Sequence, residues 1–485
     1  MTNPMTDAQR KVGMLLCLLT IILAILDQNI VTSAIVPIAR DLDPAHGVEH
    51  VSWLVASFTL AATAVLPLYG RLCDLFGARP VMLGAIGTFL AGSALCGAAQ
   101  SMTELIAFRA VQGLGAGGLM SVTMVMMAML KGPEEKKGPG GAAGLVGGLG
   151  MAIGPLVGGL LADHADWRLI FYVNLPLGLL IIAGLLLVVR LPRAARPATS
   201  IDFAGAALAA LFASALLLVA EWAGTTYAWS SPQILGLGAA ALATLALFLW
   251  RQATAEHPIL PLTLFRVPEI RLGFLVQGLV GAAMLGALVY LSVYLQTVRG
   301  VDASAAGLYL AFTAAGLVVS GVLASRLDLS DRTFLLLGTV LAAAALGGIA
   351  LIGTTTSLWL IRADMTLFGL GLGFLLGRLI TVVQGAAPAP QLGVATTGIR
   401  FFQSLGGAVG AGALGSLHTA ATHHAAAAGS SPAASIVSGT HAVFLAASLL
   451  ALLAAAAVTR LPSRTAPAPA PAPAAVPDPQ EAQVA

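Results

Sequence analysis

An aspartate stands inside the first apolar stretch of the chain, in the string Leu26-Asp27-Gln28-Asn29-Ile30-Val31-Thr32. A charged group near mid-bilayer costs about 2.5–3.5 kcal/mol on insertion scales, so Asp27 must face a partner or a cavity rather than lipid. In that place a carboxylate either binds and releases a proton or forms one half of a structural ion pair. A second intramembrane charge, Arg109, opens the string Arg109-Ala110-Val111-Gln112-Gly113-Leu114-Gly115-Ala116-Gly117. A guanidinium keeps its charge at every physiological pH, and its approach to a protonated carboxyl expels the proton. Gln112 follows three residues later on nearly the same helical face and can hydrogen-bond the arginine or a cargo. The plainer alternative is that Arg109 only neutralises a buried acid.

The elements that must carry these groups are membrane spans. Hydrophobic residues make up 58% of the 485-residue chain and charged ones 9%, and the mean hydropathy is +0.92. Soluble domains carry roughly 25% charged residues. A span needs about 20 apolar residues. By that measure the pattern predicts fourteen spans, centred near residues 22, 61, 89, 118, 151, 179, 211, 241, 284, 315, 343, 369, 406 and 448. Arg109, Asp364, Arg378 and Arg400 interrupt or border spans 4, 12 and 13. With an interior amino terminus, the inside connections collect Arg10, Lys11, Arg71, Arg79, Lys131, Lys136, Lys137, Arg190, Arg193, Arg196, Arg251, Arg266, Arg271, Arg326, Arg332, Arg460 and Arg464. The outside receives Arg40, Arg168 and Arg299. The positive-inside rule therefore places both termini in the cytoplasm of a multi-pass inner-membrane protein.

Several glycine patterns add detail. Gly150, Gly154 and Gly158 recur at four-residue intervals beside Pro155 and Gly159. On a helix they make a smooth stripe that a second helix can approach closely, with a proline kink beside it. This array resembles motif C, the antiporter signature of the major facilitator superfamily. The short connection Gly70-Arg71-Leu72-Cys73-Asp74-Leu75-Phe76-Gly77-Ala78-Arg79-Pro80 resembles motif A of that family, with Leu75 where a basic residue is usual. Asp74 is then expected to meet a positive side chain or a helix amino terminus across the interface between two halves. A degenerate copy, with Ser325 in the aspartate position, lies in the other half at Gly321 to Asp328. The string from Arg109 to Gly117, including Gly113, resembles motif B.

The branch resemblance is to fourteen-span drug:H+ antiporters of the EmrB/QacA type. It rests on Glu221 to Pro232, His257 to Arg266, Trp167 to Gly178 and Tyr294-Leu295-Gln296, and it covers roughly residues 12–458. It implies an all-α polytopic fold of two six-helix halves plus two extra central spans. The divisions are a cytoplasmic amino terminus at 1–11, halves at 12–190 and 272–459, the extra pair at 191–271, and a Pro/Ala-rich disordered tail at 460–485. It further implies proton-coupled export of amphipathic small molecules from a central cavity, to which Gln112, Asn174, Tyr294, Gln296 and Asp364 are assigned.

Other classes fit less well. Nutrient uptake by the same fold is disfavoured by the antiporter-type array. A membrane enzyme would need a compact acidic or histidine set at one interface, and a sensor would ordinarily carry a soluble signalling domain. No GxxxxGK[ST] string supports ATP-driven transport, so the expected driver is the proton gradient without a cofactor. Scattered basic residues and a net charge of +3 give no nucleic-acid surface. Cys17, Cys73 and Cys96 lack metal-ligand spacing, and His418, His423, His424 and His441 read as solvated histidines near the last external loop. Arg362 is expected to snorkel, and Arg378 and Arg400 to anchor the cytoplasmic boundary. The expected partners are cargo, protons and lipid; the sequence is silent on a periplasmic adaptor.

Overall fold

The computed structural model describes residues 5–33, 35–42, 47–130, 166–189, 201–224, 226–301 and 303–462. The Gly150–Gly159 array, the loop at 131–137 and the Pro/Ala tail beyond 462 lie outside them. The described chain is a succession of α-helices. The first set comprises α1 (Asp7–Ser33), α2 (Ile35–Leu42), α3 (Gly47–Ala64), α4 (Leu66–Phe76), α5 (Ala78–Ala98), α6 (Met102–Leu130), α7 (Leu169–Tyr172) and α8 (Asn174–Leu187). Next come α9 (Phe203–Trp222) and α10 (Pro232–Thr254), then α11 (Pro268–Thr297), α12 (Ala303–Arg326), α13 (Asp331–Ile349), α14 (Leu358–Ala386), α15 (Leu392–Ala427) and α16 (Pro432–Val458).

Among the described residues ten helices are long and apolar enough to span a bilayer, or eleven with the bent α3–α4 pair taken as one. That differs from the fourteen expected. The candidate centred at 151 falls outside the described residues. Those centred at 315 and 406 are helical, as α12 and α15. Polar Thr396, Thr397, Arg400, Gln403 and His418 interrupt α15, and α12 contributes the apolar helix Ala311–Arg326 among the described residues. Helix starts follow local chemistry. Ser231 and Ser431 each accept an N–H three residues on at 3.3 Å, with proline following directly. This is the arrangement that satisfies first-turn donors while proline sets the helical φ.

Two separate apolar cores hold the bundle. One joins Leu23, Phe89, Leu119, Met126 and Ile181 from α1, α5, α6 and α8. The other joins Val276, Leu346, Phe368, Leu379 and Phe444 from α11, α13, α14 and α16. Helix α9 lies over the seam between them, where Ala213 packs with Leu66 of α4 and with Phe401 and Leu405 of α15. Gly412 permits this approach, because a Cβ there would stand 2.9 Å from the Cα of Ala220. A T-shaped Trp53–Trp222 pair, 5.5 Å between centroids, adds a second contact between α3 and α9.

Beyond the first span, Asp41 accepts from the Trp167 indole at 3.0 Å and from Arg168 at 2.9 Å. These two bonds hold its carboxyl below the usual carboxylate range. A depressed folded value gives stability that is present above about pH 4 and is lost as pH falls through the folded value. With side chains 30% and 48% exposed, the pair is screened. Arg168→Gln is expected to lower unfolding stability by under about 1 kcal/mol at neutral pH, with the loss fading in acid; thermal unfolding at pH 7 and pH 3 measures it.

Candidate functional site: a buried charge network and an inter-half latch

Four helices converge on Asp27. The residue is fully buried on α1, and its Oδ2 accepts from Arg109 Nη1 at 3.1 Å. Its Oδ1 accepts from Gln112 Nε2 at 2.7 Å and from Asn174 Nδ2 at 2.8 Å. Arg109 Nη1 also donates to Gln112 Oε1 at 2.8 Å, and Arg109 Nε to the Leu54 carbonyl at 3.3 Å. The guanidinium lies 4.0 Å from the Phe58 ring centroid. Ser93 of α5 completes the cluster: its hydroxyl donates to the Phe171 carbonyl at 2.9 Å and accepts from Asn174 and Gln112 at 2.9 and 3.2 Å.

Glycines let these helices close in. A Cβ on Gly92 would sit 2.5 Å from the Gln112 backbone, and one on Gly113 would sit 2.4 Å from the Phe58 carbonyl. The result is one carboxylate with three donors and one permanent cation, sealed from solvent. Solvent reaches such a site only when the helices carrying Arg109 and Asp27 shift relative to one another.

Arg109→Lys is expected to cut transport at least tenfold despite the conserved charge. A single ammonium cannot reach Asp27, Gln112 and the Leu54 carbonyl together while stacking on Phe58. Efflux from cells with matched protein levels, at several external pH values, measures it. Wild-type transport by the lysine variant would mean that charge alone suffices.

Of the five residues assigned to a common cavity, Gln112 and Asn174 meet in this network and the others stand elsewhere. Tyr294 is buried in the second core, and its hydroxyl donates to the Gly353 carbonyl at 2.7 Å. Gln296 is exposed and donates to Ser292 of its own helix at 2.8 Å. Asp364 packs on Gly348 of α13, where a Cβ would meet its carboxylate at 2.8 Å, and its Oδ2 is buried without a partner among the described residues. Helical phase explains the scatter: the motif spacings locate residues along a helix but not the face that each presents.

Other placements also correct the sequence reading. Arg400 lies two turns into α15 and donates to Gln403 at 2.8 Å, so it is not at a turn. Arg378 bonds to Asp331 at the start of α13 at 2.9 Å. Arg362 stacks on Trp359, 4.4 Å from its ring centroid. His418 stacks on Tyr290 at 4.5 Å and His441 bonds to the Ile352 carbonyl, so these two histidines pack against neighbours. His423 and His424 are indeed at the surface.

The second feature joins the halves. Asp74 of α4 accepts from the backbone N–H of Gly393 at 2.7 Å and of Val394 at 3.1 Å, the first turn of α15. First-turn donors are unpaired within a helix, and the helix dipole favours an anion there. Gly70 and Gly393 bring the helices into van der Waals contact, since a Cβ on Gly70 would lie 2.8 Å from Val394 Cα. Gly77 turns the chain with φ 87°, and Arg79 donates to the carbonyls of Leu185 and Leu186 at 3.0 and 2.9 Å, capping α8. Ser93, Phe58 and Leu54 escaped the sequence reading; Ser93 is one of two hydroxyls, with Thr88, in α5, and nothing in the sequence set it apart.

Comparison with known proteins bears on this architecture. The family model described as Major Facilitator Superfamily matches residues 17–411. A Mycobacterium tuberculosis protein described as an uncharacterized MFS-type transporter is 35% identical over 82% of this chain, which spans about 58% of that protein's length. The Bacillus subtilis multidrug transporter protein MdtP is 32% identical over 81% of this chain and 73% of its own. Among solved structures, the human organic anion transporter MFSD10 superposes with a TM-score of 0.66 at 17% identity, covering 93% of this chain and 99% of its own. The proton:xylose symporter XylE gives 0.61 at 15% identity, covering 93% and 95%.

Proposed function

Because the chain belongs to the major facilitator superfamily, whose members are multi-pass membrane transporters and not enzymes, we propose that it is a proton-coupled exporter of amphipathic small molecules. Drugs, toxic compounds and secondary metabolites are the cargo class. The observation that carries the reading is the sealed Asp27–Arg109–Gln112–Asn174 network, an acid held in mid-helix by a permanent cation. The efflux direction draws on a relative named for it, the MFS-type efflux pump MFS1 of Trichophyton rubrum, which is 29% identical over 81% of this chain. The cargo class draws on the multidrug names of MdtP and of the Bacillus subtilis multidrug resistance protein 3.

In this reading the chain is of the fourteen-span EmrB/QacA type, with α9 and α10 as the extra pair, α12 and α15 as true spans and one further span near residue 151. Both termini lie in the cytoplasm, so the Asp74 contact is a cytoplasmic latch and the conformation is closed on that side. Arg109 engages a deprotonated Asp27 in this state. When the site is open to the outside the arginine separates and Asp27 takes up a proton there. On opening toward the cytoplasm the arginine approaches again and expels that proton inward, while cargo moves outward, without a cofactor.

Moving one charge through 100 mV releases about 2.3 kcal/mol, roughly a fiftyfold concentration ratio. The test is proton release from inverted vesicles holding an imposed pH gradient as candidate compounds are added. Release on addition of an amphipathic compound supports the reading. A panel that moves no protons while the protein transports compounds downhill would remove proton coupling.

A further inference from the structure

On the Asp74 side a cavity of about 540 Å3 opens between α4, the short turn before α15 and the segment that follows α10. Arg71, Arg266, His257 and Gln252 line it, together with Gln391 and Glu256. Two of its buried donors are unmet among the described residues. Arg71 Nε is buried and has no hydrogen-bond partner among the described residues. Gln252 is 3% exposed; its Oε1 accepts from Leu260 N–H at 2.9 Å, while its Nε2 donates to nothing among the described residues. Arg266 is exposed at the rim on the 3-10 turn Leu262–Arg266.

Acceptors are few. Glu256 is the one carboxylate in the lining, and its Oε1 lies 3.9 Å from His257 Nε2. Asp74, three residues on from Arg71, is already bonded to Gly393 and Val394. Cations from two distant stretches of chain thus face one space beside an unused amide donor. That pattern calls for a compact anion with several acceptor oxygens, and guanidinium forks match phosphate in geometry and charge.

We propose that this cavity is a binding site for a phosphate group, supplied either by an anionic phospholipid headgroup or by a soluble phosphate. A phosphate bridging Arg71 and Arg266 ties α4 to the segment after the extra helix pair, directly beside the Asp74 latch, and so favours the latched conformation. The site stands on its own residues and is independent of cargo or proton coupling.

The test uses the full chain, purified in detergent and delipidated, with unfolding followed by tryptophan fluorescence at constant ionic strength. One arm titrates inorganic phosphate against chloride. The other adds phosphatidylglycerol against diacylglycerol, which lacks the phosphate. A saturable rise in midpoint is expected in at least one arm; phosphate alone sufficing assigns a soluble anion, and phosphatidylglycerol alone assigns a headgroup. Arg266→Gln, at an exposed position, should raise the half-saturating concentration about tenfold, the loss of one charge-assisted contact. Arg71→Gln should do at least as much, and Arg332→Gln, remote from the cavity, should change nothing. No saturable rise in either arm, or a rise that both cavity variants retain, overturns the proposal.

Discussion

Asp27→Asn should abolish cargo-driven proton movement and also weaken the fold. An amide cannot cycle a proton, which removes coupling outright. The structure adds an energetic cost. Asp27 accepts from Arg109, Gln112 and Asn174, whereas an asparagine offers one acceptor oxygen and an NH2 that must face other donors. Arg109, 1% exposed, is left as an uncompensated buried cation, a change that typically costs about 3–5 kcal/mol. Stability and transport separate in a double mutant. Asp27→Asn with Arg109→Gln removes the stranded charge and should recover much of the unfolding midpoint, yet proton movement should stay absent. Measured in inverted vesicles at matched protein levels, full proton release by Asp27→Asn would exclude Asp27 from coupling. If the double mutant were as unstable as the single one, the stranded cation would not be the source of the loss.

The sequence revealed this site unevenly, for physical reasons. Asp27, Arg109 and Gln112 stood out because a charge or amide inside an apolar run is costly, and cost is visible one residue at a time. Their mutual contact follows from that cost, since each needs a partner. Asp74 was legible for a similar reason: a lone acid between glycines, beside a short connection, has few places to go but a helix terminus. The cavity assignment for Tyr294, Gln296 and Asp364 was not legible, because small differences in helical phase decide whether a polar group faces a neighbour, a core or the surface. The contribution of Ser93 and the seat of α9 over the seam depend on which helices are neighbours in space. Composition carries no record of that. The fold class was plain from hydropathy, but the span count was not, since α15 trades apolar content for the small and polar residues that pack helices together.

Gly70→Leu is expected to reduce transport more than tenfold while leaving the protein folded. In the latched conformation a Cβ on Gly70 would lie 2.2 Å from Thr397 Oγ1, 2.8 Å from Val394 Cα and 3.1 Å from the Gly393 carbonyl. The threonine hydroxyl can rotate away; the backbone of α15 cannot, and the rest of a leucine side chain must go into the same space. Overpacking of this kind costs about 1–3 kcal/mol, and all of it falls on the latched state because α4 and α15 part in the other. The population therefore shifts by roughly 5- to 150-fold toward the unlatched form. The two halves hold separate apolar cores, so the strain moves one against the other without unfolding either. As α15 retreats, Asp74 loses the N–H groups of Gly393 and Val394. Spin labels at Phe76→Cys and Ala389→Cys, both exposed positions, report the separation; Cys17, Cys73 and Cys96 are buried and should not label. The expected distribution moves to longer distances in Gly70→Leu. Gly70→Ala should do so partially, with only part of that recovered by Thr397→Ala, because the clash with Val394 Cα persists. Unchanged distances with normal transport would mean that the Gly70–Gly393 contact does not set the latch.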